Sequence, residues 1–101
     1  MNDTTLFTRN FLVEGEVKIF PVDKPWVYIS IPQTYTEQTK HLAERGLVAI
    51  TAKYANLTWK TSLLPMGDGT QFIPLPAKVR KMGNIKTGDY IKLSFTLRKR
   101  N

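Results

Sequence analysis

The sequence predicts a small, mainly β domain: a barrel or split barrel of about six strands with two short helices. Three observations carry that expectation. Apolar and polar residues alternate at period two through most of the chain. Glycine, proline and asparagine stand at the junctions between the alternating runs. Strands and helices do not alternate in order, which argues against a doubly wound parallel sheet.

The first expected strand covers residues 11–20. Phe11, Val13, Gly15, Val17 and Ile19 share one face there, and Glu14, Glu16 and Lys18 the other. Gly15 is the natural place for a bulge or tight bend. Residues 21–25 form a turn between two prolines. Residues 26–31 alternate again, Val27, Ile29 and Ile31 against Trp26, Tyr28 and Ser30. A helix follows. Thr34 and Glu37 have the spacing of a capping box, and Gly46 suits the left-handed residue that stops a helix. Its apolar stripe is thin (Tyr35, Thr39, Leu42), so it is expected to cover a barrel end or edge.

Residues 47–54 and 57–64 read as a hairpin closed by Ala55-Asn56, with Asn56 taking positive φ. Pro65 ends the second strand and residues 66–69 turn. Residues 71–75 form a short strand that Pro74, lacking an N–H, marks as an edge. Pro76 opens a second helix and Gly83 closes it. Gly88-Asp89 turns into residues 90–97, where Ile91, Leu93, Phe95 and Leu97 face in. Gly67, Asp68, Gly69, Gly88 and Asp89 are expected as structural turn positions.

The 101 residues suit one domain, long enough to bury a core without metal or disulfide. Residues 1–10 read as a flexible arm, 11–98 as the barrel and 99–101 as a basic tail. Cysteine is absent, which removes disulfides, thiolate nucleophiles and cysteine-based zinc sites. The uncharged run 27–36 is too short and too polar to span a bilayer, and the start lacks the pattern of a signal peptide. A cytoplasmic protein without membrane contact is expected.

The net charge of +7 is confined to the last quarter. Residues 1–77 carry seven basic and seven acidic side chains. Residues 78–101 carry Lys78, Arg80, Lys81, Lys86, Lys92, Arg98, Lys99 and Arg100 against Asp89 alone. Such a surface suits an anionic partner, whether nucleic acid, phosphate ligand or acidic protein; it is also what a solvated, solubilising end looks like.

Catalytic signals are thin. His41, the lone histidine, falls on the solvent side of the first helix and leaves no nucleophilic triad. The scattered carboxylates have no metal-ligand spacing, and no cofactor is implied. Residues 66–69 could form an anion nest or simply a turn, and no phosphate-loop lysine follows them. The best candidates for anion or partner binding are Lys78, Arg80 and Lys81 on the second helix, with Tyr90 and Lys92 on the last strand. Arg80 suits a guanidinium fork for phosphate or carboxylate, or a tie to a neighbouring loop through Asp68 or Asp89. Tyr90, Lys92 and Thr96 share one face and Trp26 and Tyr28 another. Such aromatics stack nucleic-acid bases or lie under a helix. The expectation is a non-enzymatic binding or interaction domain. The alternative is weak, salt-sensitive nucleic-acid binding through the basic quarter.

The run SLLPMGDGTQFIPLPAKVRKMGNIKTGDYIKLSF, preceded by WVYISIP and LVAITAKYANLTWKTSL, resembles the domain-of-unknown-function family nineteen-oh-five of bacteria and archaea. The serial motif is Leu-x-Pro-x-Gly-Asp-Gly, then Val79-Arg80, then Gly88-Asp89. The resemblance implies a double-split β-barrel, a fold class shared with swapped-hairpin transcription regulators. It implies no activity. Some members are joined to a YdeI/OmpD-associated segment, and no function tied to that segment is expected here.

Overall fold

Among the described residues, seven antiparallel strands form one sheet that curls into a nearly closed barrel, and two short helices, named below, lie against it. The computed structural model describes residues 6–23 and 25–99. The strands are β1 (Phe11–Glu16), β2 (Lys18–Ile19), β3 (Val27–Ser30), β4 (Val48–Tyr54), β5 (Leu57–Pro65), β6 (Gln71–Pro74) and β7 (Tyr90–Leu97). Helix α1 spans Gln33–Thr39 and runs into a 3₁₀ turn at Lys40–Leu42; helix α2 spans Ala77–Gly83.

The expected first strand is in fact two, which raises the count to seven. The sheet order is β1-β7-β4-β5-β6-β3-β2, so consecutive strands β1 and β2 form its opposite edges. Val17 is the pivot between them. It is fully buried, and its backbone joins the turn before β7: Val17 N–H donates to Asp89 O, and Gly88 N–H to Val17 O, both at 2.8 Å. Past this pivot the chain leaves β7 and pairs with β3, so Ile19 is exposed rather than inward. One long strand bent across two partners is what brings the two edges together.

The alternation of β7 holds throughout, with Ile91, Leu93, Phe95 and Leu97 buried. Phe95 stacks on Phe11 of the neighbouring strand at 4.8 Å between ring centroids. Tyr35 of α1 meets Phe11 edge-on at 5.1 Å and donates its hydroxyl to Leu12 O, so α1 covers a sheet edge.

Other expectations shift. α1 starts two residues earlier than a capping box would place it. Pro32 is the N-cap, Thr34 lies inside the first turn, and no side chain caps the helix. Glu37 pairs with Lys40 at 2.8 Å instead. Gly46 does take positive φ, but in a two-residue turn with Arg45, between Glu44 and Leu47 whose backbones exchange two hydrogen bonds. In the β4–β5 turn the positive φ of 52° falls on Ala55, not Asn56. β6 is no edge strand: it lies between β5 and β3. It pairs with β5 only through Gln71 and Phe72, so Pro74 stands beyond that ladder and leaves no bond unmade. Gly83 does not end α2 by a left-handed turn; Asn84 does, at φ 53°. Gly83 is needed for closeness, since a Cβ there would lie 3.2 Å from Leu57 and Ile85 side-chain carbons.

The expected flexible arm is docked as far as it is described. Leu6 is 5% exposed and belongs to the core. Arg9 lies over the Phe11 ring and donates to Gln38 Oε1 at 2.6 Å. Residues 1–5, Lys24 and the tail residues Arg100 and Asn101 lie outside the described residues; Lys99 is exposed, 5.5 Å from the Phe7 ring centroid.

Candidate ligand groove

β3 and β6 bury side chains on both faces, and the outer face builds a groove. Inside, Val27, Ile29, Ile73 and Leu75 join the core. Outside, Tyr28 and Phe72 are also buried, because Phe20 folds back over them and stacks on Tyr28 at 4.4 Å. Lying under a helix was one of two readings for Trp26 and Tyr28; Tyr28 is covered instead by Phe20 of the β2–β3 connection. Trp26 continues this row but is only partly covered, at 47% exposure. Its ring leans edge-on against Phe72 at 6.3 Å. Tyr28 pairs with Pro74, and the same register carried two residues on sets Trp26 opposite Pro76.

Trp26, Pro25, Pro74, Pro76, Ala77 and Arg80 thus line an open groove of about 380 Å³, with Val27 and Leu75 beneath. Its shape is held from below. Leu75 is buried, and its N–H donates to Val27 O at 2.8 Å. Its carbonyl accepts Arg80 Nε at 2.9 Å. Arg80 is half-buried, in the middle of α2. By helical spacing Ala77, Arg80 and Lys81 turn towards one side, with Lys78 beside them. Lys78 and Lys81 are exposed. Among the described residues, no carboxylate lines the groove.

The five predicted binding residues do not form one site. Lys78, Arg80 and Lys81 gather on α2, whereas Tyr90 and Lys92 lie on the outer face of β7, opposite Glu16 and Glu14. Lys92 comes within 3.6 Å of Glu14. Arg98 is spent on structure, donating to Ile50 O at 2.8 Å and Thr61 O at 2.9 Å. The expected tie from Arg80 to Asp68 or Asp89 is replaced by the Leu75 carbonyl. Asp68 turns to its own loop, where Thr70 N–H donates to it at 3.0 Å. The Thr70 hydroxyl first, and then that N–H, hold the Asp68 carboxyl below its ordinary value of 3.8. Asp89 accepts Lys86 N–H at 2.8 Å. Gly67, Gly69 and Gly88 all have positive φ, between 92° and 98°. Among the described residues, no three His, Asp or Glu side chains cluster to hold a metal, and His41 is exposed.

The groove was missed because its parts are far apart in sequence. The available signal was the alternation itself: Trp26 and Tyr28 share a face, and Pro74 and Pro76, two residues apart on the neighbouring strand and just past its end, share that same face.

Fold and surface together define a small, mainly β barrel domain with an open groove beside Arg80. Residues 14–95 match the family described as Domain of unknown function (DUF1905). The chain belongs to that family. No curated protein matches it.

Proposed function

We propose that this chain is a non-catalytic binding domain that takes an anionic ligand in the Trp26–Arg80 groove. One observation carries the reading: a half-exposed tryptophan beside a guanidinium whose Nε is already held by Leu75 O. A groove in place before binding saves the cost of ordering it on binding. The volume falls in the range of small-molecule sites. A cytoplasmic setting fits, since the chain has no cysteine to oxidise. Among the described residues no helix is long and apolar enough to cross a membrane.

A second reading, weak and salt-sensitive association with nucleic acid, is supported by Lys78 and Lys81, both exposed on the helix that carries Arg80.

The test is a fragment screen of the full chain followed by backbone amide shifts. Shifts centred on Trp26, Leu75, Ala77 and Arg80 are expected. Ligands that gather instead around Glu14 and Lys92 would refute the site. A parallel hydrolase and transferase screen should find no turnover. Robust turnover abolished by Arg80→Lys would overturn the non-catalytic reading.

A further inference from the structure

The donors of the groove are few and oriented. Pro25, Pro74 and Pro76 have no N–H, so much of the wall offers apolar surface and no backbone donor. The charge is concentrated at Arg80. Its Nε is committed to Leu75 O, which sets the plane of the guanidinium and leaves the two terminal nitrogens as a fork. Trp26, braced by Phe72, is a flat platform at the other side of the same groove. With no carboxylate among the described lining residues, one positive fork faces the ligand uncompensated by them.

Resting on the groove reading above, we infer that the ligand is a small molecule in which a flat aromatic ring is joined to one carboxylate or phosphate. The ring stacks on Trp26, and the oxyanion takes the end of the Arg80 fork. About 380 Å³ suits one such molecule rather than a length of chain. Shape and charge then act together: the ring alone leaves the guanidinium unpaired, and the anion alone leaves the indole wet.

The experiment is calorimetric titration of the full chain, with amide shifts to locate binding. The probes are phenyl phosphate and benzoate, compared with phenol and inorganic phosphate. At least one ring–anion probe should bind about tenfold more tightly than phenol and than phosphate. Comparing benzoate with phenyl phosphate identifies the anion. Trp26→Ala should weaken binding by about fivefold or more, a stacking loss. Arg80→Lys should do the same although the charge stays, because lysine cannot present a fork. Melting curves confirm that both variants fold, and a variant that fails to fold is replaced by Trp26→Leu or Arg80→Gln. Phenol binding in the groove as tightly as both ring–anion probes would overturn this inference and leave the groove standing. Inorganic phosphate binding equally well, or Arg80→Lys binding unchanged, would also overturn it. So would an absence of ring–anion binding at millimolar concentration. Shifts located on the β1–β7 face would remove the groove reading as well. A thymidine oligonucleotide that binds more tightly than phenyl phosphate, and weakens steeply with salt, would assign the groove to single strands and overturn the small-molecule class.

Discussion

At the scale of single residues, the groove depends on where each polar atom is spent. Arg80 read equally well as a ligand fork or as a structural tie. Nε is spent as the structural tie, and the terminal nitrogens are separate donors left for the proposed ligand. The partner of Nε was not legible, since a backbone carbonyl has no sequence signature. The same accounting exposes a weak point. Thr36 is 5% exposed in α1, and its hydroxyl has no hydrogen-bond partner among the described residues, whereas Thr39 donates its own to Tyr35 O at 2.9 Å. Thr36→Val keeps the shape and removes the orphaned group. It should raise unfolding stability by about 1 kcal/mol in a denaturant titration. Asp68 gives a pH prediction. Its carboxyl is held below 3.8 by hydrogen bonds that only the ionised form accepts fully. A depressed folded value means that the stabilisation is complete above the unfolded value and is lost as pH falls through the folded one. The Thr70 amide shift should therefore titrate with a midpoint below 3.8. Asp68→Asn should abolish that titration.

At the scale of elements, alternation was legible wherever one strand kept one partner on each side. β7 lies between β1 and β4 along its length, and its inward and outward residues fall as the pattern predicts. The stretch from Phe11 to Ile19 did not, because its break comes from changing partners at Val17, a tertiary event. The helix ends were misread for a related reason: a glycine or threonine names a conformation but not the element that uses it. Two turns test the backbone side of this directly. Gly88 has φ 96°, and a Cβ there would meet nothing within 4 Å, so any loss on Gly88→Ala is conformational. This turn also holds Val17 at the barrel seam. Gly88→Ala should cost about 1–2 kcal/mol. Ala55, already at φ 52°, should show the reverse. Ala55→Gly relieves left-handed strain in the β4–β5 turn. It should stabilise by about 0.5 kcal/mol, the strain relief outweighing the added freedom of the unfolded chain. Melting both variants beside the parent checks the pair, and equal signs would refute the turn assignment.

At the scale of the whole molecule, charge counted along the chain differs from charge counted in space. The basic quarter was legible as a surplus, but its neutralising partners were not, because Glu14 lies far away in sequence and adjacent in the sheet. Folding sets Lys92 beside Glu14, buries the use of Arg98 in two carbonyls and lays Lys99 against Phe7. Among the described residues, Lys78, Arg80 and Lys81 stand together on α2, with Lys86 exposed beyond its end. That bounds any duplex DNA association. If the three on α2 meet phosphates, log K should fall with log salt at a slope of about −2.7; five or more contacts would give about −4.5 or steeper. Binding measured at several salt concentrations distinguishes the two. Lys78→Glu and Lys81→Glu should each weaken that binding. Lys92→Glu should leave it nearly unchanged while lowering stability by a few tenths of a kcal/mol, because it sets two like charges opposite each other across β1 and β7. A steep slope that flattens on Lys92→Glu would return β7 to the binding surface. It would mean that the Glu14 pair opens to meet a polyanion. An ion pair this exposed is weak enough to open, so the salt titration, and not the 3.6 Å contact alone, decides whether β7 takes part.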